Sequence, residues 1–170
     1  MRKVIGIGET ILDIIFKNEQ PTAAKPGGST FNSMITLGRL GVNTEFISEV
    51  GRDRLGKQIK DFLAENNVKS ENVYDYDGGK TALSLAFLDE NMNADYLFYK
   101  NDAAQKLDYV MPKIEENDII VIGSFFSIND ALRENLTYLL DEAKRKKAII
   151  YYDVNFRKNR KSQVRFLMPN

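Results

Sequence analysis

The sequence predicts an α/β protein in which a parallel sheet is wound with helices on both faces and carries a small inserted β-sheet as a lid. Three observations predict it. The short runs at 4–8 and 118–123 have the composition of buried parallel-type strands, and 44–50 and 148–152 read as further strands. Helical patterns fall between several of these runs, which is the rhythm of a wound α/β chain. Two alternating runs, 81–88 and 94–99, flank a polar turn and interrupt that rhythm with a hairpin.

Composition narrows the function classes. The chain has 170 residues, 43% hydrophobic and 28% charged, which suits one soluble domain. Its 24 basic and 24 acidic residues cancel, so the basic footprint of a nucleic-acid binder is missing. There is no cysteine and no histidine. Disulfides, thiolate metal sites, His-based triads and the usual zinc sites are therefore excluded, and a general base would have to be Asp, Glu, Lys or Tyr. Met1-Arg2-Lys3-Val4 leads into an apolar strand and not into a signal-peptide core, and no apolar run approaches the ~18 residues of a membrane span. A cytoplasmic protein without membrane or nucleic-acid partners is expected.

The elements follow in order. Run 4–8 is the opening strand. Gly6 and Gly8 lie too close together, without a clean helix behind them, for a dinucleotide fingerprint. Asp13 falls just past this strand, where α/β ligands gather, although a solvated turn residue would look the same. Residues 14–16 read as a strand and 18–25 as a polar loop leaving the main sheet. The most informative stretch is Pro26-Gly27-Gly28-Ser29-Thr30-Phe31-Asn32-Ser33. A glycine pair lets backbone approach a ligand closely, and Ser29 or Thr30 is a candidate helix cap. Phe31, Met34, Ile35 and Leu40 keep helical spacing up to Gly41. Asn32 falls in the first turn, where its amide can both donate to and accept from a polyol. A plain glycine turn before a helix is the competing reading.

Beyond it, 44–50 is a strand and Gly51/Asp53/Gly56 shape a turn with Asp53 as helix cap. Ile59, Phe62 and Leu63 form the apolar face of the helix that runs to about 67. Residues 73–79 are a linker or edge strand. The hairpin 81–99 is either a flap over a site or an edge of the main sheet. Asn129 is expected to cap a long helix bearing Leu132, Leu136, Leu139, Leu140 and Ala143 on one side. Its terminal Lys144-Arg145-Lys146-Lys147 suits the negative end of the helix dipole. The strand at 148–152 delivers Asp153, Asn155 and Arg157 at its carboxyl end.

Taken in order, Gly-Glu-x-x-x-Asp at 8–13, Pro-Gly-Gly-x-x-x-Asn at 26–32, Leu-Gly-Arg-Leu-Gly at 37–41, Gly-x-Asp-x-x-Gly at 51–56 and Asp-x-Asn-x-Arg at 153–157 resemble the ribokinase-like carbohydrate kinases, the fructokinase-like branch above all. The resemblance spans essentially the whole chain. It implies a Rossmann-like core with a lid built from about 12–26 and 73–101, and transfer of a phosphoryl group from ATP, with Mg, to a sugar hydroxyl. It places sugar contacts on Asp13, Gly27, Gly28 and Asn32, lid and hinge contacts on Phe98, Lys100 and Asp102, and phosphate-proximal positions on Asp153, Asn155 and Arg157. It also implies a homodimer through the lid.

The family's Gly-Ala-Gly-Asp and Asn-x-x-Glu segments have no counterpart here, so no catalytic residue and no metal ligand is nominated. The expectation is an N-terminal portion of a longer enzyme, inactive alone, whose catalytic Asp lies beyond Asn170. The alternatives are a non-catalytic sugar-binding or regulatory protein, and the same fold acting on ribose, a ketogluconate or a nucleoside.

Overall fold

The computed structural model describes residues 2–100 and 107–155. Along the chain run β1 (Val4–Ile7), β2 (Ile11–Lys17), β3 (Gln20–Gly27), α1 (Ser29–Arg39), β4 (Thr44–Gly51), α2 (Arg54–Glu65), β5 (Val68–Lys69) and β6 (Val73–Tyr76). Then come β7 (Leu83–Leu88), β8 (Ala94–Tyr99), β9 (Ile119–Gly123), two 3-10 turns at Phe125–Ile128 and Asp130–Leu132, α3 (Arg133–Arg145) and β10 (Ile149–Asp153).

The main sheet is six-stranded in the order β10-β9-β1-β4-β5, with β6 also on β4, and its pairings are all parallel. Alternation along each strand divides the apolar residues between two layers. Ile5, Ile7, Ile120 and Ile122 pack with Leu132, Leu136, Leu139 and Ala143 on the α3 side. Val4, Phe46 and Val50 pack with Phe31, Met34, Ile35, Ile59 and Leu63 from α1 and α2 on the other. Phe31 is fully buried and meets Phe46 edge-on at 5.7 Å. Burying a side chain of that size contributes about 1.5–3 kcal/mol. Helices thus cover both faces, as the sequence predicts.

The lid is a separate four-stranded sheet, β3-β2-β7-β8. Two antiparallel hairpins supply it, joined by a parallel β2–β7 pairing. The first turns at Asn18 and Glu19, both with positive φ (49° and 59°), the primed-turn conformation whose twist matches its strands.

Several expectations are corrected. Residues 18–25 are not a loop: Gln20–Gly27 is a strand, whose bulged residue Thr22 lies opposite the Ile15–Phe16 step and next to Pro21. Asp13 lies inside β2 and not in a turn past β1. Val73–Tyr76 belongs to the main sheet through β4, so the second lid segment begins only at Leu83. Neither Ser29 nor Thr30 caps α1. Gly28 occupies the cap position without a side-chain bond, and Thr30 is buried. Leu40 lies past the end of α1 and is 74% exposed, so helical spacing alone overextended the apolar face. Asn129 accepts from the Ala131 amide and caps the 3-10 turn at Asp130–Leu132, while α3 starts only at Arg133.

Candidate functional site

The sheet order reverses at β1: the chain leaves it through α1 to β4 on one side, and β9 lies on the other. Ligands of such sheets bind in the crevice outside the carboxyl ends of the strands at this reversal. Here the first turn of α1 is wedged into it. A Cβ on Gly8, past β1, would stand 2.8 Å from the Thr30 side chain, and one on Gly123, ending β9, would stand 3.0 Å from Thr30 Oγ1. The Ser48 hydroxyl donates to the Gly8 carbonyl at 2.7 Å and fixes the end of β1 to β4.

Gly28 makes the junction. Its φ of 135° and ψ of 146° belong to glycine, and a Cβ there would lie 2.3 Å from the Glu9 carbonyl oxygen. Gly27 adjoins Asp13 so closely that its Cβ would fall 2.5 Å from Asp13 Oδ2. On the other side, Ser84 of β7 donates its hydroxyl to Asp13 Oδ1 at 2.5 Å. Burial pushes the Asp13 carboxyl above the usual carboxylate range, and the Ser84 hydrogen bond pulls it partly back. Asn32 follows one helical turn on, its amide N–H bonded to the Gly28 carbonyl at 2.9 Å. Its side chain is exposed, and among the described residues it makes no hydrogen bond. Asp13, Gly27 and Gly28 are therefore in direct succession, with Asn32 beside them along α1.

Registers extend the site across the lid. Lys25, Asp13, Ser84 and Phe98 are successive cross-strand partners and so share one face. Phe98 stacks on Tyr96 at 5.7 Å and is 48% exposed, leaving an aromatic surface open. Lys100 sits with its ammonium 5.3 Å from the Phe98 ring centroid and pairs with Glu9, the residue after Gly8. That pair connects the end of the lid to the end of β1. Glu9 and Ser84 were not among the predicted site residues. The signal for Ser84 was a lone hydroxyl in the apolar run Leu83-Ser84-Leu85.

Not every feature converges. A hollow of about 580 Å³ is lined by Lys80, Thr81, Leu83, Leu85, Tyr99 and Lys100. Leu83, Leu85 and Tyr99 alternate with Ser84 and Phe98, so this hollow belongs to the opposite face of the lid from Asp13. Of the predicted site residues only Lys100 lines it. Asp153 ends β10 beside Gly123, is exposed, and accepts from the Asn155 amide at 3.0 Å. It is near the crevice but in a different strand from Asp13. Asp102 and Arg157 lie outside the described residues. Among the described residues no group of three acidic or imidazole side chains is arranged to hold a metal ion.

The glycine turn proposed as structural is so. Asp53 accepts from the Gly56 amide at 2.9 Å, the Thr81 amide at 2.8 Å and the Thr81 hydroxyl at 2.7 Å. It caps α2 and holds the segment that enters β7. Burial pushes its carboxyl up, and these hydrogen bonds outweigh that and hold it below the usual carboxylate range.

The sequence pattern of the pfkB family carbohydrate kinases matches residues 1–169. The chain belongs to that family. Among curated relatives of this pfkB-family chain, a probable fructokinase-3 of Arabidopsis thaliana is 26% identical over 165 residues, covering 91% of the chain and 48% of the relative. Among solved structures, an uncharacterized sugar kinase of Pyrococcus horikoshii superposes with a TM-score of 0.80 at 23% identity, over 96% of this chain and 60% of that one. The fructokinase of Vibrio cholerae in its fructose, ADP and calcium ion bound form superposes with a TM-score of 0.80 at 20% identity, over 94% of this chain and 52% of that one. At these identities the superpositions show the ribokinase-like fold. The chain spans about half the length of the curated relatives it matches. No helix among the described residues is long and apolar enough to cross a membrane.

Proposed function

We propose that this pfkB-family chain supplies the acceptor site of a sugar kinase whose whole form phosphorylates a sugar hydroxyl with ATP, fructose being the first candidate. The observation that carries the reading is the Asp13 carboxylate held against Gly27 and Ser84, beside the glycine that starts α1 at the sheet reversal. An ionised carboxylate accepts from sugar hydroxyls, the Asn32 amide both donates and accepts, and glycine backbone admits the ring closely. Phe98 offers an aromatic surface to the C–H face of a sugar. The lid excludes water, which competes with the sugar for a transferring phosphoryl group. Fructokinases among the relatives and a fructose-bound neighbour support fructose.

ATP would be the group donor with a divalent cation, Mg in this reading, beside it; an ATP-bound neighbour and one with ADP and calcium support the nucleotide and a divalent cation. The described residues offer no acidic cluster for the cation, so they are assigned no part in the transfer step. Their work is to bind and orient the acceptor. In this reading Asp153, Asn155 and Arg157 are the phosphate-proximal positions, and Asp102 belongs with Phe98 and Lys100 to the lid contacts.

In the whole protein, Asp13→Ala or Asn32→Ala lowers kcat/KM for fructose roughly tenfold or more, because each removes a polar contact worth ~1.5–3 kcal/mol. Unchanged kinetics with fructose and related sugars overturn the assignment. The 170-residue chain alone should show no sugar-dependent ATP turnover, and turnover by pure material would refute that.

The same reading includes a homodimer through the lid. Its face away from Asp13 carries Leu97 at 50% and Tyr99 at 55% exposure, together with the half-buried Leu83 and Leu85. Apolar surface of this kind marks an interaction site. Leu97→Lys should shift sedimentation from dimer to monomer, and a wild-type chain that sediments as a monomer ends this part of the reading.

A further inference from the structure

The polar residue that the site does not yet explain is Ser84. It is fully buried, at 0% exposure, in the lid strand β7. Its same-face neighbour along that strand is Ala86, and Ala82 stands two residues before Ser84, just ahead of the strand. A small apolar side chain therefore serves at the positions before and after it, and a hydroxyl appears only opposite Asp13. That hydroxyl spends its proton on Asp13 Oδ1, across 71 residues of sequence. Asp13 Oδ2 lies on the Gly27 side, where only the lack of a Cβ leaves room for it.

We propose that Ser84 is a positioning residue of the acceptor site: by holding one oxygen of the Asp13 carboxylate it turns the other toward a polyol hydroxyl. The proposal rests on the sugar-site reading given above. A hydroxyl donor bonds best to an ionised carboxylate, and that is also the form that accepts from a sugar. In half-buried surroundings the carboxylate would otherwise tend to hold a proton and to rotate. Ser84 opposes both. The ionisable groups carried on the same lid face are Lys17 on β2, Lys25 opposite Asp13 on β3, Tyr96 on β8, and Lys100, which is paired with Glu9.

The test labels the aspartate carboxyl carbons of the 170-residue chain and follows Asp13 by NMR against pH, with and without fructose, in wild type, Ser84→Ala and Ser84→Thr. In Ser84→Ala the Asp13 midpoint moves upward and the fructose dissociation constant rises about tenfold, as expected for a lost hydrogen bond to a charged group. Ser84→Thr, which keeps the hydroxyl, stays nearer wild type in both readouts. A merely structural tie between β7 and β2 would move the midpoint and leave fructose affinity as it is. Fructose binding unchanged from wild type in a Ser84→Ala chain with native amide spectrum, whether or not the midpoint moves, overturns the assignment of Ser84 alone. No response of the wild-type chain to fructose overturns the sugar-site reading, and this proposal with it.

Discussion

Gly28→Ala tests the local physics on which the site is built. Two separate costs fall on this substitution. The first is conformational: a φ of 135° with ψ of 146° lies where residues with a Cβ are essentially not found, at a cost of about 1–3 kcal/mol. The second is steric: the new methyl would stand 2.3 Å from the Glu9 carbonyl oxygen, which is backbone and cannot swing aside. Relieving such overpacking costs about 1–3 kcal/mol more. Together they come to roughly 2–6 kcal/mol, a large share of the ~5–15 kcal/mol that holds a domain of this size. Gly41→Ala is the internal control. It also has positive φ, 78°, yet nothing lies within 4 Å of its Cβ position. It should lose only the left-handed conformational cost, ~1–2 kcal/mol. Urea unfolding of the chain and both variants, read by circular dichroism, gives the comparison. Equal losses at positions 28 and 41 would show that α1 does not start hard against the end of β1, and the crevice would lose its basis.

Other substitutions separate structure from function. Asp53→Ala removes the α2 cap and the tie to Thr81, and should cost about 1–2 kcal/mol in urea melts. Because the folded Asp53 carboxyl lies below the ordinary 3.8, its stabilisation is present above that value and is lost as pH falls through the lowered one. The Asp53→Ala deficit should therefore shrink in acid, and a deficit that does not change with pH contradicts the hydrogen-bond account. Asp13 has the opposite sign. Its carboxyl is raised from 3.8 by burial, so its contribution is complete below that value and is lost as pH rises through the raised one. Asp13→Asn should consequently be more stable than wild type at neutral pH, with the gap closing in acid, while losing affinity for fructose. A neutral-pH loss of stability would mean that Asp13 is a structural and not a ligand-facing group.

Local pattern carried most of the architecture. The runs that became β1 and β9 are legible because a strand covered on both faces is apolar; β4 is buried too but carries Glu45, Ser48 and Glu49, and β10 is an exposed edge strand, so the same composition did not mean burial there. The apolar faces of α1, α2 and α3 are legible from their spacing, and the Asp53 cap from its turn chemistry. β3 was hidden because Pro21 and a polar composition argue against a strand, and its own bulge at Thr22 keeps the pairing in register. Leu40 and Asn129 were misjudged because the end and start of a helix depend on what the next segment packs against.

The sequence by itself determined a wound α/β chain with a β lid, a glycine pair at the start of a helix, and an early carboxylate and amide beside it. Tertiary structure alone decided which partners those groups met: Ser84 on Asp13 across 71 residues, and Lys100 on Glu9 across 91. It also decided that the hollow and Asp13 lie on opposite faces of one sheet. The reason is physical. Periodicity reports which side of an element avoids water, whereas the neighbour on that side is chosen by long-range strand pairing, and a shift of one residue in that register would turn Asp13 to the other face.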